Sequence, residues 1–164
     1  MKMDINQTIN KCKDLYESTW SFNISKTDFK RNGRSLNYNF IIRKNISKDN
    51  EVHGVYIISN TESSEILYVG MSGQIKRLDN GDYDNCGYDI RKRLVSSRGK
   101  NNETEKDISS SDFFESKMKE KTIESITITI IQTNKDVSPT FLESQILQWI
   151  FSETKILPDW NKSF

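Results

Sequence analysis

The sequence predicts an α+β fold in which helices flank a small three-stranded antiparallel sheet. Runs rich in β-branched and aromatic residues are typical of strands at 52–59, 66–70 and 124–133. Stretches between and after these runs place apolar residues at helical spacing. With 164 residues, the chain is long enough to bury one hydrophobic core and still carry an arm.

The first fifty residues are predicted to form an N-terminal extension of one helix and one strand. Residues 4–17 carry apolar side chains three and four positions apart, with Asp4 as the helix N-cap. After a polar stretch, residues 35–45 have the composition of a strand. We therefore divide the chain into an extension at 1–50 and a main domain at 51–164.

The first two strands of the main domain are predicted to form a hairpin, because only a short polar loop separates them. Pairing residue 58 with residue 66 sets Tyr56 opposite Tyr68. Side chains alternate along a strand, so both rings are expected on one face of the sheet. Because Gly70 has no side chain, another group could approach the backbone closely beside those rings.

The second half of the main domain is predicted to contain loops and helices around the third strand. Residues 73–88 are rich in Gly, Asn and Asp and lack a sustained period, which indicates a loop insertion. Residues 98–111 are polar and are expected to be mobile. Helices are predicted at 89–97, capped by Asp89, at 111–121, and at 138–154, opened by Ser138 and Pro139.

The composition excludes several classes of protein. Cys12 and Cys86 lie far apart and His53 is the single histidine, so one chain cannot supply four Cys/His ligands to a structural zinc ion. No run approaches the ~20 apolar residues of a membrane span, and the N-terminus lacks the apolar segment of a signal peptide. We expect a cytoplasmic protein with reduced thiols and no membrane partner.

Positive charge is concentrated in one region of a chain whose net charge is only +1. Such a run is most often a solvated helix face, but here it is also the one concentration of charge able to bind nucleic-acid phosphates. The residues are Lys76, Arg77, Arg91, Lys92, Arg93, Arg98 and Lys100.

Glu143 is the most informative single residue. On the predicted last helix, its neighbours at i+3, i+4 and i+7 are Ile146, Leu147 and Ile150. Burying an unpaired carboxylate costs several kcal/mol, about 2 or more, unless a cation compensates its charge. Glu143 therefore either reaches solvent at the edge of the apolar stripe or serves as a metal ligand or an acid/base group.

Several of these features occur together in an order that resembles the GIY-YIG nuclease family, over about residues 52–161. The matching segments are Gly54-Val55-Tyr56, then after eleven residues Tyr68-Val69-Gly70, the helix start Asp89–Leu94, Glu143, and Pro158-x-x-Asn161. Members of this family share a small three-stranded antiparallel sheet flanked by helices, and they cleave DNA phosphodiester bonds with a divalent metal.

The resemblance implies a metal-dependent DNA endonuclease with an active site on the sheet face that carries the two rings. Glu143 would hold Mg²⁺, or Mn²⁺ in its place, because hard cations prefer carboxylate oxygen. Arg93 would neutralise charge on the phosphoryl oxygens. Tyr56 would accept a proton from the attacking water, with Tyr68 bound to the phosphate or sharing that task. Asn161 would orient the metal shell or tie the C-terminal segment to the site.

The sequence also departs from the family pattern. The arginine follows YIG more closely in many members, so residues 73–88 would be an insertion, and Arg77 is the rival of Arg93 for the catalytic role. Met71 stands where many members carry lysine, and Ser97 stands where a histidine or tyrosine is common. A longer insertion at this place resembles the restriction-endonuclease branch of the family.

The implied partner is double-stranded DNA, as expected of a site-specific restriction-type or phage nuclease. The insertion and the extension at 1–50 are candidates for contacting DNA, and the extension could instead serve as a dimerisation arm. Cutting both strands requires two active sites, which implies a homodimer or successive encounters. DNA-contacting residues would be Gly70, Lys76, Arg77, Arg91, Lys92 and Arg98. Two alternatives remain open, namely a catalytically inactive nucleic-acid-binding module of the same fold and an unrelated α+β interaction module.

Overall fold

The structure, a computed structural model, describes residues 4–33, 35–100 and 106–163. Its helices are α1 (Ile5–Lys11), α2 (Asn37–Asn45), α3 (Ile90–Val95), α4 (Ser110–Glu120) and α5 (Pro139–Thr154). Its strands are β1 (Tyr16–Ser25), β2 (Arg31–Asn32), β3 (Ser35–Leu36), β4 (Gly54–Asn60), β5 (Ile66–Ser72), β6 (Gln74–Arg77), β7 (Tyr83–Cys86), β8 (Ser97–Lys100), β9 (Asp107–Ser109) and β10 (Ser125–Thr133). None of these helices is long and apolar enough to cross a membrane.

The α+β class is confirmed, but the main sheet has four antiparallel strands and not the predicted three. The strand order is β1-β10-β4-β5, and the three predicted strands are β4, β5 and β10. The fourth strand, β1, comes from the first fifty residues. Its Trp20, Phe22 and Ile24 belong to the core and alternate with polar residues. One sheet thus contains strands from both sides of the boundary predicted at residue 50.

Most of the segment 35–45 forms the helix α2 (Asn37–Asn45), and only Ser35 and Leu36 are in a strand, which corrects the predicted strand. Tyr38 and Ile42 of α2 are buried, whereas Phe40 is 62% exposed. In a strand, Tyr38 and Phe40 would share a face, while in a helix residues four apart do so. The spacing of Tyr38 and Ile42 therefore carries the helical signal, and the aromatic and β-branched composition was misleading.

The hairpin of β4 and β5 is confirmed, but its register differs from the prediction. Tyr56 pairs with Gly70 and Ile58 pairs with Tyr68, so Ile58 does not pair with residue 66. The register shift next to Ile58, where β5 has one extra residue, accounts for one of the two residues of this difference. Both rings still lie on one face, since a shift of two residues preserves the alternation of side chains.

Residues 73–88 form a second hairpin, which corrects the predicted loop. Strands β6 and β7 pair antiparallel, with Arg77 opposite Tyr83. Most of their side chains are polar and exposed, so no hydrophobic period marks them in the sequence. Farther along, β8 pairs with β9. Residues 101–105, within the segment predicted to be mobile, lie outside the described residues.

The helices predicted at 89–97, 111–121 and 138–154 are confirmed, and the helix predicted at 4–17 is confirmed in its first half only. Asp89 caps α3 by accepting a hydrogen bond from the Lys92 N–H at 2.6 Å, and Pro139 is the first residue of α5. The helix predicted at 111–121 corresponds to α4. Helix α1 has the predicted cap at Asp4 but ends at Lys11, because the chain turns there to enter β1.

Two hydrophobic cores lie on opposite faces of the main sheet. One contains Tyr56 and Ile58 of β4 together with buried residues of α2, α3 and α4. The other contains Val55 and Ile57 of β4 together with buried residues of α5. Consecutive residues of β4 thus supply both cores, which explains why this strand is apolar throughout.

Candidate functional site

Tyr56 and Tyr68 lie side by side on one face of the sheet, with ring centroids 5.9 Å apart and planes tilted by 37°. A Cβ atom at Gly70 would lie 2.6 Å from ring atoms of both tyrosines. A Cβ atom at Gly54 would lie 2.1 Å from the Ile131 carbonyl oxygen. Close packing within the protein therefore requires both glycines, and the approach of an outside group is not needed to explain them.

The two phenols differ in their access to solvent. Tyr56 is 0% exposed. Tyr68 is half-buried, and its ring meets the edges of Phe113 and Phe114 on α4 at centroid distances of 6.3 and 6.4 Å. A water molecule or phosphate from solvent therefore meets Tyr68 before Tyr56.

Asn161 closes the free edge of β5 at the position between Tyr68 and Gly70. Its Oδ1 accepts a hydrogen bond from the Val69 N–H, and its Nδ2 donates one to the Val69 carbonyl, each at 2.8 Å. The Trp160 N–H also donates to the Leu67 carbonyl at 2.9 Å. The side chain of Asn161 thus takes the place of a neighbouring strand, and of its two predicted roles the structure shows the tie to the C-terminal segment.

Arg93 and Glu143 influence each other electrostatically although they belong to different helices. Arg93 points outward from α3 because Ile90 and Leu94 of that helix are buried. Burial raises the pKa of the Glu143 carboxyl above its ordinary value of 4.5, and the positive charge of Arg93 opposes this rise. Glu143 is half-buried, so its side chain does not extend into bulk water.

A cleft of about 330 Å³, which we call the β5 cleft, opens where β5 ends. Its lining residues are Met71, Ser72, Gly73, Gln74, Cys86, Gly87, Tyr88, Arg93 and Thr140. Thr140 precedes Glu143 by three residues, so the first turn of α5 forms one wall of the cleft. The cleft therefore brings together the end of β5, the hairpin of β6 and β7, Arg93, and the start of α5.

The five predicted catalytic residues do not all lie on the face of the sheet that carries the rings. Helix α5, which bears Glu143, packs on the opposite face with Val55, Ile57 and Val69. The structure brings Tyr56 and Tyr68 together on one face, and the charge of Arg93, which lines the β5 cleft, acts on the Glu143 carboxyl. Asn161 touches the backbone of the strand that connects the two groups.

The donor set suits a hard cation bound through a single carboxylate. Within the described residues, the Glu143 carboxylate makes no hydrogen bond or ion pair, so its oxygens are available. No group of three or more His, Cys, Asp or Glu residues in the described part of the chain could hold a metal ion. Mg²⁺ often binds to one or two carboxylates while keeping several waters, which fits this arrangement.

The predicted DNA-contacting residues are distributed over four elements, with Gly70 on β5, two residues on each of β6 and α3, and Arg98 on β8. Lys76 and Arg77 are exposed on β6. Lys92 of α3 lies 3.5 Å from the Glu51 carboxylate, and the Nε of Arg91 is buried without a hydrogen-bond partner among the described residues. The side chains of residues 97–100, which include Arg98 and Lys100, lie outside the described part of the structure.

Three residues that line the β5 cleft were not predicted from the sequence, namely Gln74, Tyr88 and Thr140. Tyr88 is 71% exposed beside Arg93, and its one signal was its position directly before the Asp89 cap. Gln74 and Thr140 occupy ordinary polar positions in the sequence. Only the folding of the insertion into a hairpin brings these three side chains to one cleft.

Comparisons of the chain with known protein families, with curated proteins and with solved structures found no match. The resemblance to the GIY-YIG nucleases therefore depends on the residues named above and on their arrangement.

Proposed function

We propose that the protein is a metal-dependent endonuclease that hydrolyses DNA phosphodiester bonds at the β5 cleft. The observation that carries this proposal is the proximity of Arg93 to Glu143 beside the cleft, at the end of the strand that holds Tyr68. A guanidinium can neutralise a phosphate, a carboxylate can hold a cation and a phenol can move a proton. These are the three tasks of phosphodiester hydrolysis.

Each residue has a separate role in the proposed reaction. Glu143 holds Mg²⁺ or Mn²⁺, which supplies Lewis-acid polarisation of the phosphate when bound. Arg93 binds the phosphoryl oxygens and balances their charge. Tyr68, the more accessible phenol, meets the attacking water or the phosphate, and Tyr56 packs against it from the core side. Asn161 is a positioning residue, because it fixes the backbone of β5 between Tyr68 and Gly70.

The hairpin of β6 and β7 is the proposed DNA-contacting element, as expected of a restriction-type or phage nuclease. It carries Lys76 and Arg77 beside the cleft and exposes Tyr83 and Tyr88 nearby. Two-stranded ribbons of this size fit the major groove of duplex DNA. Phosphate contacts from the basic residues would set its position on the duplex.

A second candidate function is a binding module of the same kind without catalysis. The complete burial of Tyr56 and the location of α5 on the face opposite the rings favour it, because both separate the predicted catalytic groups. The two candidates differ in one observable property, the cleavage of bound DNA.

The decisive experiment incubates supercoiled plasmid and Mg²⁺ with the wild-type protein, Glu143→Gln, and the matched control Glu153→Gln. Glu153 lies on the same helix but is exposed and paired with Lys11. We expect wild type and Glu153→Gln to cleave, and Glu143→Gln to lose at least about 100-fold in rate, because an amide cannot replace the carboxylate as a metal ligand. DNA binding without cleavage by the wild type would support the second candidate, and equal cleavage by both variants would refute the role of Glu143.

A second pair of variants decides between the two arginines. Arg93→Lys keeps the charge but removes the fork that binds two phosphate oxygens, so we expect a fall of roughly 10-fold or more in the cleavage rate at saturating DNA. Arg77→Lys should mainly weaken binding, because Arg77 is exposed on the hairpin. A larger fall in the saturated rate for Arg77→Lys would transfer the catalytic role to Arg77.

A further inference from the structure

Strand β1 is an edge of the main sheet that no element in the described part of the chain covers. It pairs with β10 on one side only. The Lys26 N–H donates to the Glu124 carbonyl of the β10 side at 2.9 Å, so even-numbered positions of β1 turn their backbone groups inward. Thr19, Ser21 and Asn23 consequently turn their N–H and C=O groups outward, and Ser21 and Asn23 are exposed.

The features that usually prevent an edge strand from pairing are missing over most of β1. Natural edges are protected by charged residues, proline, bulges or a covering segment. Residues 18–25 contain no charged residue and no proline, and both Glu17 and the register shift lie at the start of the strand. This edge, which we call the open edge, is therefore competent to accept another strand.

We propose that β1 pairs with β1 of a second copy of this chain, antiparallel about a two-fold axis at Ser21. In this register Ser21 lies opposite Ser21 of the partner subunit, and Thr19 lies opposite Asn23 of the partner subunit. All three outward-facing residues then exchange both backbone hydrogen bonds, which gives about six new bonds. A register centred on residue 22 would instead require Ser25, whose N–H is already bound to the Asp28 carboxylate at 2.8 Å.

The side chains of β1 fit a second copy better than an unrelated charged partner. On one face the paired residues are small, polar and uncharged, so no like charges meet. On the other face half-buried Trp20 lies opposite Phe22 of the partner subunit, so no charged side chains meet there either. A two-fold interface uses the same surface twice, which this self-complementary strand permits. The two β5 clefts would lie at the far ends of the joined sheet, so the interface does not depend on the proposed nuclease activity.

The interface is tested by sedimentation velocity on the wild type, Ser21→Lys and the control Ser116→Lys. Ser116 is exposed on α4, so the control adds the same charge away from the open edge. We expect the wild type and Ser116→Lys to approach twice the chain mass of 19.1 kDa as concentration rises, and the Kd of Ser21→Lys to increase at least about 10-fold. A wild type that stays monomeric at its highest soluble concentration, or an unchanged dimer in Ser21→Lys, would overturn the proposal.

A cross-linking experiment tests the register and does not depend on the lysine variant being folded. Directly opposed residues of a hydrogen-bonded antiparallel pair have Cα atoms about 5.5 Å apart, which suits a disulfide. Ser21→Cys, in a Cys86→Ser background, should give a covalent dimer with the thiol oxidant diamide. Ser116→Cys in the same background should not, and Cys12 is inert because burial raises its pKa to about 11. A non-covalent dimer that fails to cross-link through Ser21→Cys would refute this register.

Discussion

Of the two edge strands of the main sheet, β5 is bonded by the C-terminal segment, whereas β1 pairs with β10 alone among the described residues. At β5, the closed edge, Asn161 bonds to both backbone groups of Val69, and Trp160 bonds to Leu67. At β1, the open edge, Ser21 and Asn23 have outward backbone groups without a backbone partner in the described residues. The covered edge is therefore the one beside the candidate site, and the uncovered edge lies at the opposite end of the sheet.

Covering an edge restricts the motion of the strand as well as its pairing. Local opening of a protein occurs most easily where backbone hydrogen bonds are exposed to solvent. Asn161 binds between Tyr68 and Gly70, so it holds the backbone on both sides of the tyrosine contact. A catalytic group must be held within roughly 0.5 Å of its productive position, and an edge strand without a covering segment would hold it less firmly.

The largest effect is expected from the same substitution made at the two edges, Asn161→Ala and Asn23→Ala. Asn161→Ala leaves the N–H and C=O of buried Val69 unpaired, which should lower the free energy of unfolding by about 2–4 kcal/mol and the Tm by roughly 5–10 °C. Asn23→Ala removes one exposed hydrogen bond from Thr127, so its effect should stay within about 0.5 kcal/mol.

Thermal unfolding followed by circular dichroism measures both variants on one scale. The comparison of the edges would fail if the two variants lost equal stability. In that case the bonds of Asn161 to Val69 would contribute no more than an ordinary surface contact. Cleavage assays on Asn161→Ala, carried out well below its Tm, would then separate its support of Tyr68 from its effect on stability.

Glu143→Gln, on the helix that packs against β5, is expected to increase the stability of the folded protein. This effect is smaller than that of Asn161→Ala and opposite in sign. Burial raises the pKa of this carboxyl, so its ionisation destabilises the folded protein. Well below pH 4.5 the carboxyl is protonated in both the folded and the unfolded state, and wild type and Glu143→Gln should be about equally stable. As the pH rises through the folded-state pKa, the wild type should lose stability relative to the variant, so its Tm should be the lower of the two at pH 7.

Melting curves between pH 4 and pH 8 test whether the wild type becomes less stable than Glu143→Gln as the pH rises. Glu153→Gln is the exposed control on the same helix. Added Mg²⁺ should reduce the difference at pH 7 by stabilising only proteins with the carboxylate. A Glu143→Gln variant that is less stable than the wild type at pH 7 would show that the carboxylate has a stabilising partner.

Some elements could be predicted from neighbouring residues in the sequence, whereas others could not. Asp89 and Pro139 mark their helices because capping and helix initiation depend on neighbouring residues alone. Strand β1 was missed although Trp20, Phe22 and Ile24 alternate with polar residues, because the polar residues dominate its composition. The helix α2 was misread for the opposite reason, since its aromatic and β-branched residues are also typical of strands.

The candidate site shows the same division between local and distant causes. The common face of Tyr56 and Tyr68 was predicted correctly despite the wrong register, because any even shift preserves it. The bonds of Asn161 to Val69 span 92 residues, and no local pattern indicates such a pairing. The apolar stripe around Glu143 shows that α5 packs on something, but it does not reveal on which face of the sheet.

The position of β10 between β1 and β4 has a consequence for the newly made chain. On the ribosome, β1 emerges about a hundred residues before β10, at a synthesis rate of roughly 5–20 residues per second. For roughly 5–20 s, Trp20, Phe22 and Ile24 have no strand to join, and their apolar side chains remain in water. Before the sheet can be completed, nascent chains of this protein therefore expose apolar side chains of β1 to water. During this interval the chains are prone to aggregate, and the exposed segment could bind chaperones.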